Sequence, residues 1–104
     1  MKKAILALLL AATITSAKAE FIGGDVLLNN LQSTDAANSA AARGYILGVF
    51  DAVSTTLCLP PKVTTGMIIE LIAKQLELSK DINKNYSGAT IVHYTLKKYF
   101  ECNL

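Results

Sequence analysis

Apolar residues return along this chain at steps of three and four, the period of an α-helix, and nowhere settle into the alternation of a strand. The strongest case is the stretch RGYILGVFDA, Arg43 to Ala52. On a helix, Ala37, Ala41, Gly44, Gly48 and Ala52 fall on one stripe nearly bare of side chains. Two glycines inside a helix cost roughly 1 kcal/mol each relative to Ala. The stripe therefore predicts close approach of a neighbouring helix, with Gly44, Tyr45, Gly48 and Asp51 as structural positions. The other sides carry Tyr45, Ile46, Leu47, Val49 and Phe50, leaving Arg43 and Asp51 as a polar edge. Such a helix is expected to be buried on every side, by the rest of the chain or by a second subunit.

The flanking patterns predict three more helices. Asp25 can cap a brief one through Val26, Leu27, Leu28 and Leu31, and Ser33-Thr34-Asp35 offers the cap of the central helix, read from Ala36 to about Val53. Leu59-Pro60-Pro61 stops that helix, because proline disfavours a helical conformation in the residue before it. Thr64 or Thr65 opens a third helix to about Leu78, with Ile68, Ile69, Ile72 and Leu76 on one side and Glu70, Lys74 and Glu77 mostly opposite. Ser79 to Tyr86, SKDINKNY, is the most polar run and is expected to be an exposed connection. Ser87 opens the last helix, in which Ala89, Val92, Leu96, Tyr99 and Phe100 share a face. The expected fold class is all-α: a compact small bundle of about four helices, mostly antiparallel because their connections are short.

The N-terminus changes the picture of charge. Lys2 and Lys3 precede an apolar run from Ala4 to Ile14, and Ala17-Lys18-Ala19 supplies an A-x-A pattern, so residues 1–19 read as a cleaved secretory signal peptide and 20–104 as one small helical domain. The run is too short for the roughly 20 residues of a membrane-spanning helix. Cleavage after Ala19 takes away Lys2, Lys3 and Lys18, three of the ten basic residues; against eight acidic ones the formal charge passes from +2 to −1. The mature chain thus has no basic footprint for nucleic acid and no basic amphipathic helix for a membrane surface. Cys58 and Cys102 lie 44 residues apart in an exported chain, where a disulfide can form and persist; two separate buried thiols are the alternative. Closing a loop of that size contributes about 4 kcal/mol.

Catalytic parts are scarce. His93 is the single histidine, expected at the margin of the last helix's buried face as a partly buried structural residue, and a Cys-His pair needs a cysteine outside any disulfide. No close-spaced ligand pair indicates a metal, no glycine-rich loop indicates a phosphate, and Asp25, Asp35 and Asp51 look like caps and helix-edge charges. The expectation is a non-enzyme without cofactor or metal that acts through its surface.

The order of motifs is similar to that of a known family. Gly24-Asp25-Val26-Leu27-Leu28, then Gly44-Tyr45-Ile46-Leu47-Gly48-Val49-Phe50-Asp51-Ala52, then Cys58-Leu59-Pro60 with Val63-Thr64, and a last helix ending in Tyr99-Phe100-Glu101-Cys102 resembles the Rap/Tai family of periplasmic immunity proteins, over nearly all of the mature chain. The resemblance implies an all-helical protein that inhibits a peptidoglycan amidase delivered by type VI secretion, commonly as a dimer, with a protruding loop entering the amidase cleft. It implies a disulfide between Cys58 and Cys102. Many members carry another cysteine pair, where this chain holds Leu31 and Ala42, and a proline before the final cysteine, where it holds Glu101. Loss of both partners together removes a second bridge without leaving an orphan thiol.

Two loops are candidates for the partner contact: Lys80, Asp81, Asn83, Lys84 and Asn85 in the polar connection, and the loop Pro60 to Thr64, with Pro61 and Lys62, stiffened by its prolines. A homodimer through the central helix is expected on Ile46, Leu47 and Phe50, which lie outside the glycine stripe. The alternative function is a periplasmic helical stress chaperone or another non-catalytic binding module. An acid-activated chaperone should show a strong charge bias, which the nearly neutral mature chain lacks.

Overall fold

The structure, a computed structural model, describes residues 22–102. The predicted signal segment lies outside the described residues. Among the described residues four helices form, α1 (Gly24–Leu31), α2 (Ala36–Val53), α3 (Thr65–Leu78) and α4 (Gly88–Phe100), with short 3-10 turns at Ser54–Thr56 and Asn83–Asn85. Among the described residues the one piece of β pairing is an isolated antiparallel bridge between Gly23 and Ser87. The all-α expectation holds, and so does the disulfide: Cys58 and Cys102 are bonded, with their Cα atoms 5.0 Å apart.

The helices α2, α3 and α4 each begin where the sequence supplies a side-chain acceptor for the orphan N–H groups of the first turn. Asp35 Oδ1 accepts from the Ala37 and Asn38 amides at 2.9 and 3.4 Å. Thr64, of the two threonines, is the cap of α3, accepting from Met67 N at 3.1 Å, and Ser87 caps α4 through Thr90 N at 3.1 Å. Asp25, expected to cap α1, lies inside its first turn; the N-cap is Gly23, and the start of α1 has no side-chain cap. Instead its entry is fastened to the start of α4, with Gly24 N donating to Tyr86 O at 3.0 Å and Gly88 N to Ile22 O at 2.6 Å. Both glycines sit where chains approach closely. A Cβ on Gly24 would meet the Ile91 side chain and Asn83 O, the latter at 3.0 Å, and one on Gly88 would meet Leu27 and Tyr45 at 3.0 and 3.1 Å.

The core is drawn from all four helices: Leu27 and Leu28 of α1, Ala42 and Ile46 of α2, Ile68, Ile72 and Leu76 of α3, and Ile91, Val92 and Leu96 of α4. The α3 stripe matches the predicted one, with Ile69 at its half-buried margin. On α4 the buried face is turned from the expected one: Ile91 and Thr95 point inward, while Tyr99 is 52% exposed. Thr95 can occupy a fully buried place because its hydroxyl donates to Ile91 O at 2.7 Å, satisfying its polar atom within its own helix.

The central helix departs most from expectation. Only Ala42 and Ile46 of α2 are buried, and all five small residues of the stripe, Ala37, Ala41, Gly44, Gly48 and Ala52, are exposed. A Cβ added at Gly44 or Gly48 would meet nothing within 4 Å. The reason is geometric: α1, α3 and α4 all contact α2, but from the side of Ala42 and Ile46, so three partners cover one flank of a helix about 27 Å long. Of the three residues expected to face a second subunit, Ile46 and Phe50 are placed inward, and Leu47 is half-buried. Ile46 is 0% exposed, and Phe50 packs half-buried against the core.

Candidate partner-binding surface

The two connections flanking α3 stand at its opposite ends, roughly 21 Å apart for its 14 residues. Before α3, the chain leaves the disulfide through Leu59, Pro60, Pro61 and Lys62, all exposed, and returns at half-buried Val63. Its entry is fixed twice, by the Cys58–Cys102 bond and by Cys58 N donating to Phe100 O at 2.9 Å. Lys62 is held at φ 72°, a left-handed conformation that disfavours a side chain with a Cβ and that follows directly on the proline pair.

After α3, Lys80, Asp81, Lys84 and Asn85 are exposed as expected, and Lys80 lies 3.8 Å from Glu77, an exposed ion pair of little energetic weight. Asn83 is different. Expected on the loop's outer surface, it is 0% exposed, so its side chain is closed to a partner. Its amide nitrogen donates to Leu76 O at 2.7 Å, and Ser79 Oγ lies 2.6 Å from Asn83 Oδ1 and 2.8 Å from Gln75 O. Its backbone joins the same knot, with Asn83 N on Ser79 O at 3.1 Å and Tyr86 N on Asn83 O at 3.2 Å. Polarity misplaces it because an amide, unlike a charge, can be buried once every donor and acceptor is paired. No buried side-chain nitrogen or oxygen among the described residues lacks a partner.

Beside this knot lies a cleft of about 320 Å³, walled by Ile82, Tyr86 and Tyr94 and floored by Ile91, with Gln75 and Thr90 at its edges. Ile82, Tyr86 and Tyr94 are each at least half exposed. The sequence pattern does not single them out, since Ile82 and Tyr86 hide inside a polar run and Tyr94 is a single apolar residue on a helix's wet side. A second, shallower groove runs between α2 and α4 along Gly48, Ala52, Ala89 and His93. His93 lies exposed on its rim, where a partly buried position was expected. With both cysteines in the disulfide, no thiol remains to pair with it. Tyr45 is half-buried against Gly88, and Asp51 is exposed, its carbonyl accepting from Ser54 Oγ at 3.2 Å. Among the described residues no three His, Cys, Asp or Glu side chains gather to hold a metal, and no helix is long and apolar enough to cross a membrane.

What this geometry defines is a small helical scaffold, closed by one disulfide, that presents two anchored, exposed loops and a cleft. The family model for Rap1a immunity proteins matches residues 12–102, and the chain belongs to that family. Membership makes it an immunity protein, one whose work is to bind an effector toxin. No curated protein matches the chain.

Proposed function

We propose that this chain is the periplasmic immunity partner of a peptidoglycan amidase delivered by type VI secretion, and that it inhibits that enzyme without catalysis by occluding its cleft with a loop. The observation that carries this reading is the connection after α3: four exposed polar side chains, Lys80, Asp81, Lys84 and Asn85, ride on a backbone pinned from beneath by buried Asn83. A loop already fixed loses little conformational freedom on binding, so more of its contact energy appears as affinity. Residues 1–19, with their A-x-A end, and a disulfide of the kind that persists outside the cytoplasm support a periplasmic site of action.

The same reading includes a homodimer. Exposed small residues along α2 support one built on the Gly44 and Gly48 stripe, where a partner helix could approach backbone to backbone, in place of the Ile46 side that the core already occupies. Sedimentation at micromolar concentration should give a dimer that Gly48→Leu converts to a monomer; a monomeric parent chain removes this part of the proposal. For the function itself, the test is co-purification with the product of the adjacent reading frame and measurement of peptidoglycan cleavage with and without this protein. Cleavage unchanged at excess of this chain refutes the inhibitor reading.

A further inference from the structure

The cleft beside the Asn83 knot has the composition of a binding hot spot. Single exposed apolar residues are ordinary, but Ile82, Tyr86 and Tyr94 surround one concavity, and aromatic side chains around a pocket are what concentrates binding energy at interfaces. Its walls are rigid. Tyr86 is held through both backbone groups, its N–H on Asn83 O and its carbonyl under Gly24 N, while Tyr94 stands on the middle of α4.

Lysines outnumber carboxylates around the cleft, where Asp81 adjoins Ile82 in the loop. Lys84 lies in the adjoining loop, and Lys97 and Lys98 follow Tyr94 by three and four residues, which places them beside it on the same helix face. All three are exposed, and none has a carboxylate within 4 Å among the described residues, where Lys80 with Glu77 is the ion pair. Lys98 instead lies 5.7 Å from the centre of the Tyr99 ring. The complementary ligand is apolar at its centre and acidic at its edges.

We propose that the effector seats in this cleft a segment carrying a large aliphatic side chain next to carboxylates, the aliphatic group between Tyr86 and Tyr94 over Ile91 and the carboxylates toward Lys84 and Lys98. The inference rests on the effector-binding reading and adds to it a receiving site: besides entering the partner, this chain accepts a piece of it. The side chain supplies affinity, and the lysines supply speed of association and choice of partner.

The experiment is titration calorimetry of the purified product of the adjacent reading frame against the full mature protein, run at low and high salt. Tyr94→Ala, a change at an exposed position, should weaken binding by about 30-fold or more. Lys84→Glu combined with Lys98→Glu should weaken it further at low salt than at high salt. Met67→Ala, exposed at the other end of α3, should leave it unchanged, and thermal melts of all variants should match the parent. If the parent chain binds but the Tyr94 and lysine variants bind equally well, the cleft proposal is overturned while the inhibitor reading stands. If the parent chain does not bind, both fall.

Discussion

The two ends of α3 solve one problem by different means. At the first end a loop is fixed by a covalent bond: Cys58 is tied to Cys102, two prolines follow, and Lys62 is left in a conformation that its side chain opposes. At the second, the loop is fixed by a buried amide, with Asn83 joining the last turn of α3 to Tyr86 through hydrogen bonds alone. The covalent end acts largely by restricting the unfolded chain, so its bond can be lost while native geometry elsewhere survives. The amide end acts in the folded state, so damage there moves the loop and the cleft together. Affinity for a partner should therefore follow the second end and stability the first.

The largest effect expected is from Cys58→Ser with Cys102→Ser, which should lower stability by about 4 kcal/mol in denaturant unfolding. Below its reduced melting temperature this variant should still bind the effector; loss of binding in a variant with parental far-UV circular dichroism would break the division of labour. Asn83→Ala should cost about 2 to 3 kcal/mol, because it removes the donor to Leu76 O and leaves that carbonyl unpaired, while Ser79 Oγ keeps only Gln75 O. Unlike the cysteine change, it should also weaken the complex. Gly24→Ala should cost about 1 to 3 kcal/mol by pressing on Ile91 and Asn83 O, and its crystal structure should show the cleft floor displaced. The smallest effect is at the covalent end: Lys62→Gly should raise stability by up to about 1 kcal/mol by relieving the left-handed backbone, with binding untouched.

Much of the fold was legible because local chemistry and apolar period agree. Ser33-Thr34-Asp35, Thr64-Thr65 and Ser87 each read as a helix start and each supplies the cap, through Asp35, Thr64 and Ser87, and the stripe Ile68, Ile72, Leu76 reads as core and is core. Export and a cysteine count of two favoured the disulfide over two separate buried thiols, and the family resemblance implied the same pairing. Readings failed where a residue type permits two environments. Gly44 and Gly48 were expected against a neighbouring helix and stand in the open, whereas Gly24 and Gly88, which drew no such expectation, are the ones in close contact. A one-dimensional pattern fixes which residues share a stripe but not which stripe the rest of the chain covers. Asn83 and Thr95 went the same way, polar in sequence yet buried, since their satisfaction depends on carbonyls that only the fold brings within reach. The cleft was invisible for a related reason: Ile82 and Tyr94 come from different elements and meet only in three dimensions.

Under the proposed function, the surface at the amide end of α3 is what silences the partner amidase. Peptidoglycan release by the product of the adjacent reading frame, titrated with the parent chain, with a Lys84→Glu and Tyr94→Ala variant of the amide end, and with a Pro61→Ala and Lys62→Ala variant of the covalent end, tests it most directly. The account predicts stoichiometric inhibition by the parent and by the covalent-end variant, and escape from inhibition with the amide-end variant. Continued release at excess parent chain, or escape with the covalent-end variant alone, would contradict it.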